Sequence, residues 1–423
     1  MSPLPDVPQT PSPDDESLAA WLRLVHTPGI GAVTGQLLLR RLGPPEAILQ
    51  ASYATVRALV RSDETARALL ADDPVREQDI QTALAWLHAG DDRHILALDD
   101  PRYPAALLDL PDAPLLVYAR GSLAALQPAA VAIVGSRRAS HEGLRNAQAL
   151  AEALARRGII VTSGLAEGID AAAHQGALEG APAGQASTIA VTGAGIDRIY
   201  PAHHLPLARR MLEQGGLVLS EQPLGSAPMR ANFPRRNRMI AALSRGTLVV
   251  EAALRSGSLI TARQAAELGR EVMAVPGSIH NPLSHGCHHL IRDGATLIET
   301  VDDILQALGM VSPGQDASDQ ETIRGGRIRA RQHTARRASG RREWQSIIAD
   351  QESGAVEQTP SRPEPPDDDS RDLLTILSAS PMSAEALASR LGWPIDRILI
   401  TIQLLELGGY IGRHVDGRWQ RLD

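Results

Sequence analysis

Val131-Ala132-Ile133-Val134-Gly135-Ser136-Arg137, a helical stretch over Gly143–Arg157, then Ile159-Ile160-Val161-Thr162-Ser163-Gly164-Leu165-Ala166-Glu167-Gly168 and a second helical stretch over Ile169–Leu178 together decide the fold. A short run of branched apolar residues with no polar alternation is the pattern of a strand buried on both faces. Two such runs, each ending in small residues and each followed by a helix, describe parallel strands joined by crossovers. The alternation continues through Thr188–Val191, Leu217–Leu219, Thr247–Val250, Val272–Val275 and Thr296–Ile298, with Ser258–Leu268 among the helices. The chain therefore predicts an α/β core with a doubly wound, Rossmann-like parallel sheet.

Outward from this core, residues 95–310 form one domain, whose first part, 95–121, reads as loop and short strand. Upstream, residues 17–90 have helical periodicity, with Leu18, Trp21, Leu22 and Val25 on one face. Thr27-Pro28-Gly29-Ile30-Gly31 breaks the helix before a second one through Leu37–Leu42. This arrangement is either a helix-hairpin-helix that offers amides to a phosphate or a tight connection in a small bundle. Residues 1–16, rich in proline and acid, read as a disordered tail without the charged start and apolar run of a signal peptide. Residues 312–369 read as a polar linker ending in Pro363-Glu364-Pro365-Pro366-Asp367-Asp368-Asp369. Within 370–423, helices over Leu373–Leu377, Ala384–Leu391 and Ile395–Leu407 precede a hairpin at Gly408–Arg413 and Gly417–Trp419. Three helices and a hairpin predict a winged helix.

The net charge of -7 opposes a protein that coats nucleic acid through its global field, so an anion site has to be local. Lysine is absent, and arginine carries all the basic charge outside histidine. The single cysteine, Cys287, excludes an internal disulfide and fits a reducing, cytoplasmic setting. No run approaches the length of a membrane helix, so no membrane partner is expected.

Four strand-to-helix junctions carry small residues: Gly135-Ser136-Arg137, Ser163-Gly164 through Gly168, Thr192-Gly193-Ala194-Gly195, and Arg255-Ser256-Gly257-Ser258. Ligands of doubly wound sheets bind beyond the carboxyl ends of strands. Glycine there admits a close backbone, while helix N-terminal amides and serine hydroxyls hold phosphate oxygens. The dinucleotide fingerprint is missing after Val134 and the P-loop pattern is absent, so no cofactor is expected. The only phenylalanine, Phe233, stands in Asn232-Phe233-Pro234-Arg235-Arg236-Asn237-Arg238, expected just before a helix at Met239–Leu243. An aromatic face among guanidinium groups can stack a base and hold phosphates, or be a core plug beside solvated charges. His285-Gly286-Cys287-His288-His289 has metal-like composition but the wrong spacing, so no metal is expected. Asp170 and His174 share a helix face as either an acid/base pair or structural groups, and no serine has a histidine partner that would support catalysis.

Ile133-Val134-Gly135-Ser136-Arg137, Ser163-Gly164-Leu165-Ala166-x-Gly168-Ile169-Asp170-x-x-x-His174, Tyr200-Pro201, Ser220-Glu221, Phe233-Pro234-x-Arg236-Asn237-Arg238, Ser256-Gly257-Ser258-Leu259-x-Thr261-Ala262, Val275-Pro276-Gly277 and Gly294-Ala295 resemble the DNA-processing protein A family, DprA/Smf. The resemblance covers roughly 100–300 densely and suits the flanking domains. It implies a non-enzymatic, dimeric protein that binds single-stranded DNA and loads the RecA recombinase in natural transformation. Carried over by position, the DNA-binding residues are Gly135, Ser136, Arg137, Ser163, Gly164, Phe233, Arg236, Asn237 and Arg238. Gly168, Arg235 and Ser256-Gly257-Ser258 join them from the junctions and the arginine run. The chain departs from the family pattern at Glu167, usually arginine, at His288, usually asparagine, and at Thr192-Gly193-Ala194, usually Leu-Gly-Cys. Two other readings remain. One is a nucleotide phosphoribohydrolase on a related scaffold, whose Pro-Gly-Gly-x-Gly-Thr loop would fall at Glu251–Ser258, where the double glycine is missing. The other is a duplex-DNA regulator acting through the winged helix.

Overall fold

A computed structural model of the chain describes residues 13–310 and most of 368–421. The expected linker at 312–369 lies outside the described residues up to 367, and the expected tail at 1–16 up to 12. Two compact units, residues 1–329 and 330–423, are considered separately.

The first unit opens with six helices, α1 (Pro13–Val25), α2 (Ala32–Leu42), α3 (Pro45–Leu49), α4 (Tyr53–Arg57), α5 (Asp63–Leu70) and α6 (Pro74–His88). Polar caps set several of their starts: the Ser52, Ser62 and Asp73 side chains accept amide hydrogens from the first turns of α4, α5 and α6. Gly29, at φ +84°, packs on Thr65, which places the Pro-Gly-Ile-Gly turn against α5.

The sheet has nine strands: β1 (Arg93–Ala97), β2 (Leu116–Gly121), β3 (Ala130–Val134), β4 (Ile160–Ser163), β5 (Thr188–Thr192), β6 (Leu217–Ser220), β7 (Gly246–Val249), β8 (Glu271–Ala274) and β9 (Thr296–Leu297). Their order is β1-β2-β6-β5-β4-β3-β7-β8-β9. From β6 to β9 all neighbours are parallel, while β1–β2 and β2–β6 are antiparallel. The sheet is thus parallel as expected, with an antiparallel extension where 95–121 reads as loop and short strand. Arg93–Ala97 escaped the reading because its first two residues are charged or polar and half-buried, unlike the continuous apolar runs of the centre.

One face of the sheet is covered by α7 (His141–Ala155), α8 (Ile169–Gly180) and α13 (Val301–Ala307), whose Ala147, Leu154, Ala173 and Ile304 pack on Val131, Ile133, Val161 and Leu248. Added Cβ atoms at Gly176 and Gly180 would run into the α7 backbone at Gln148 and Glu152, so these glycines set the close approach of α7 and α8. The N-terminal helices share one apolar cluster with β1, β2, β5, β6 and α9 (Leu205–Glu213), running from Trp21 and Leu38 to Tyr118 and Val218. α10 (Asn232–Ala242), α11 (Gly257–Glu267) and α12 (His285–Arg292) complete the unit.

In the second unit, helices Asp368–Leu377 and Ala384–Leu391 and the antiparallel pair Ile411–Arg413 with Trp419–Arg421 surround buried Leu373, Leu377, Leu387, Ile398 and Ile402. Parts of the expected third helix and the hairpin turn lie outside the described residues.

Candidate nucleic-acid interface

The strand order reverses between β3 and β7: β4, β5 and β6 lie to one side of that pair, β8 and β9 to the other. Chains leaving the carboxyl ends of β3 and β7 diverge, so a crevice opens there. The Ser136 amide donates to the Glu251 carbonyl at 2.7 Å and ties the two exits together. Into this crevice opens a cleft of about 770 Å³. Gly135, Arg137, Phe233, Arg236, Asn237, Ser256, Gly257 and Ser258 line it, as do Tyr200, Arg230 and Asp170.

The remaining expected residues do not line the cleft, and the reasons are local. The Ser163 hydroxyl donates to the Ile133 carbonyl at 2.6 Å and is a buried pin between β4 and β3. Gly164 packs flat against the Arg236 guanidinium, and Gly168 packs against the Ser136 carbonyl at φ +75°. The Ser136 hydroxyl accepts from the Arg138 amide within its own turn. Arg235 is exposed but lies away from the lining.

The arginine run is helical, not a loop before a helix. α10 begins at Asn232, and Pro234 is tolerated because its missing N–H falls within the first turn. Winding the run into a helix turns Arg236 and Arg238 inward. Arg236 is 4% exposed; its Nη1 donates to the carbonyls of Gly164, at 2.5 Å, and Val191. Burial lowers its pKa to about 10, opposed by Asp170, so it stays cationic at neutral pH. Asp170 accepts from the amides of Gly164 (3.1 Å) and Ala166 (3.4 Å). Burial raises the Asp170 carboxyl, and Arg236 and these amides oppose that rise. Arg238, 8% exposed, pairs with Glu221 and with Asp112 at 3.3 Å. Burial raises the Glu221 carboxyl, against the pull of Arg238. These two guanidiniums tie α10 to the sheet and to the loop before β2.

The cations that face solvent are different ones. Arg137 and Arg230 are exposed, and neither has a carboxylate partner among the described residues. The Arg137 guanidinium lies 5.3 Å from the Phe233 ring centroid and that of Arg236 5.9 Å from it. Tyr200 meets Phe233 at 5.8 Å between centroids, tilted 46°. Tyr200 and Arg230 were not among the expected site residues. The available signal was an aromatic directly before a proline in the loop that follows β5.

Asp170 and His174 do not form a pair. His174 Nδ1 donates to the Thr188 hydroxyl at 2.7 Å, which itself donates to the Val161 carbonyl, and His174 Nε2 is buried with no hydrogen-bond partner among the described residues. Burial lowers the His174 pKa from 6.5 to about 3. A folded-state pKa below the unfolded value means the unfolded chain binds the proton first. This contribution is fully present above pH 6.5 and is lost as pH falls toward 3. Between pH 7 and pH 5 the loss is about 2 kcal/mol. The raised Asp170 and Glu221 carboxyls run the other way, so the loss is read as the difference between parent and His174→Gln in urea denaturation at the two pH values. A variant as pH-sensitive as the parent would refute this assignment.

The histidine-rich segment diverges. His285 and His288 donate to the Ile279 and Gly277 carbonyls, His289 pairs with Asp293, and the Cys287 thiol is buried beneath β7. No cluster of metal-ligating side chains occurs among the described residues. Glu251, 6% exposed, accepts from the Ser140 amide at 2.8 Å and hydroxyl at 2.5 Å, at the start of α7. It does not line the cleft. No described helix is long and apolar enough to cross a membrane.

Comparison with known proteins agrees with this architecture. Residues 94–309 match the model of DNA recombination-mediator protein A, and residues 357–417 that of the DprA winged helix domain. Protein Smf of Escherichia coli K12 is 48% identical over 231 residues, 55% of this chain and 60% of that protein, so the match spans about three-fifths of that relative. Protein Smf of Synechocystis is 32% identical over 415 residues, 95% of this chain and 98% of that one. The X-ray structure of DNA processing protein A from Streptococcus pneumoniae aligns with a TM-score of 0.57 at 33% identity, covering 70% of this chain and 98% of that one. With the core, the winged helix and a relative matched nearly end to end, the chain belongs to the DNA recombination-mediator protein A family, DprA/Smf.

Proposed function

We propose that the cleft at the β3/β7 switch point binds single-stranded DNA, and that the chain, as a cytoplasmic homodimer, protects such strands and delivers them to RecA. The observation that carries the reading is the meeting of two exposed guanidiniums, Arg137 and Arg230, with the aromatic pair Tyr200–Phe233 in one cleft. Phosphates are held by the guanidiniums and by the turns at Gly135 and Ser256–Ser258, and bases meet the aromatic wall with little sequence readout. The reading is of a binder and not a hydrolase: the stretch Glu251–Ser258 lacks the double glycine of the hydrolase loop, and Glu251 is engaged by Ser140 away from the cleft.

The test is anisotropy of a labelled oligothymidylate and of a duplex of equal length, between about 50 and 200 mM salt. Tighter binding of the single strand is expected, with log affinity falling linearly against log salt. Arg137→Ala is expected to weaken binding and to reduce the slope by about 0.7, the share of one phosphate on a single strand. Equal affinity for duplex, or an unchanged slope in the variant, would remove the reading or the residue from it. Recruitment of RecA to the protein–strand complex in the same measurement tests the second half of the proposal.

A further inference from the structure

We infer that Glu251 is a positioning residue for Arg137, pinning at both ends the turn that carries this guanidinium; this rests on the strand-binding reading above. Glu251 is buried and does not line the cleft, so it acts only through the turn. The juxtaposition of Ser136 and Ser140, which flank Arg137-Arg138-Ala139, with this one glutamate carries the assignment. The Ser136 amide donates to the Glu251 main-chain carbonyl at 2.7 Å. At the other end, the Ser140 amide donates to one carboxylate oxygen at 2.8 Å and the Ser140 hydroxyl to the other at 2.5 Å.

Glu251 is itself fixed. Before it, the Val250 amide donates to the Val134 carbonyl at 3.1 Å. After it, the Ala252 amide donates to the Leu283 carbonyl at 2.6 Å, and the Ala252 carbonyl accepts from the Gly286 amide at 2.8 Å. The carboxylate fits because position 143 is glycine: an added Cβ there would lie 2.4 Å from the Glu251 carboxyl carbon. Asn281 Nδ2 donates at 3.4 Å to the oxygen that the Ser140 hydroxyl also uses. That hydroxyl accepts in turn from the Gly143 amide at 3.0 Å, which joins the carboxylate to the first turn of α7, where negative charge is favoured. Arg137 is exposed, so its guanidinium is aimed by this backbone and by the Phe233 ring 5.3 Å away. A turn already held in the free protein lowers the ordering cost of meeting a phosphate. Without the carboxylate, Ser136 stays tied and the turn loses its other end.

The test uses the full chain, a labelled oligothymidylate and hydrogen exchange without DNA. Glu251→Ala is expected to reduce the salt slope of binding by about 0.7, as Arg137→Ala does, and to speed amide exchange across residues 136–140. The double variant is expected to bind within about twofold of Arg137→Ala alone, because both changes remove the same contact. Glu251→Gln is expected to restore slope and exchange: its amide oxygen accepts from the Ser140 amide, and its amide nitrogen donates to the Ser140 hydroxyl, which has lone pairs to accept it. A Glu251→Ala protein, folded by circular dichroism, that keeps the parent's slope and exchange overturns the assignment. So does a double variant that loses the slope of two contacts, or a Glu251→Gln as impaired as Glu251→Ala. If Glu251→Ala does not fold, Ser140→Ala, which removes only the hydroxyl end of the pin, is read in the same way. A parent that binds no single strand overturns the strand-binding reading, and the exchange comparison then decides the pin by itself.

Discussion

Arg236→Ala is expected to destabilise the fold first, and to affect DNA binding through that loss. The substitution removes the cation that most favours the buried Asp170 carboxylate, and it strips the Gly164 and Val191 carbonyls of their donor. Each buried carbonyl left without that donor costs about 1–3 kcal/mol. In a unit of this size that lowers the melting temperature by on the order of 10 °C. Scanning calorimetry checks it. An Arg236→Ala protein that melts with the parent yet loses strand affinity would return Arg236 to the phosphate-binding set. The sequence pattern alone, three arginines beside an aromatic, makes Arg236 an obvious phosphate ligand, so this outcome separates pattern from geometry.

Gly168→Ala is expected to act on fold and site together. Gly168 sits at φ +75°, where a side chain is strained whatever space surrounds it. Its added Cβ would also collide with the Ser136 carbonyl oxygen and lie 2.7 Å from that of Arg137. These are backbone atoms and cannot rotate away. Strain and collision together amount to roughly 3 kcal/mol or more. Relief comes only by moving the Gly135–Arg137 turn, which carries the exposed cation of the cleft. Thermal melting and strand affinity are expected to fall together, whereas Arg137→Ala lowers affinity with melting unchanged. Retention of both melting and affinity in Gly168→Ala would show that this turn has room to shift.

The central sheet is legible in the sequence because strands covered on both faces must be apolar throughout. Ala130–Val134 and Thr188–Thr192 are buried at every position and stand out against their surroundings. Arg93–Ala97 does not stand out, because an antiparallel edge strand keeps polar residues at its open end. The start of α10 was concealed by Pro234 and its charged neighbours, which read as a loop. Of the site, the turns at Gly135 and Ser256–Ser258 follow from the rule for strand exits. The division of labour among the arginines does not follow from it. The carbonyls and carboxylates that capture Arg236 and Arg238 come from residues 164, 191, 221 and 112, which only folding assembles. Tyr200 was visible as part of a family motif, but its exposure and its contact with Phe233 belong to the tertiary structure.

The two ends of the sheet bear on self-association. At one end the last strand, β9, is only two residues long. At the other, β1 opens with Arg93 and His94. Short or charged border strands offer a poor template for an incoming chain. In the proposed homodimer a partner copy would therefore gain little from extending the hydrogen-bonded ladder, which leaves helix faces and side-chain surfaces for the contact. The switch-point cleft lies between β3 and β7, inside the sheet, with β8 and β9 beyond it on one side and five strands on the other. A test of the proposed homodimer therefore targets exposed helix faces and leaves the cleft residues unchanged.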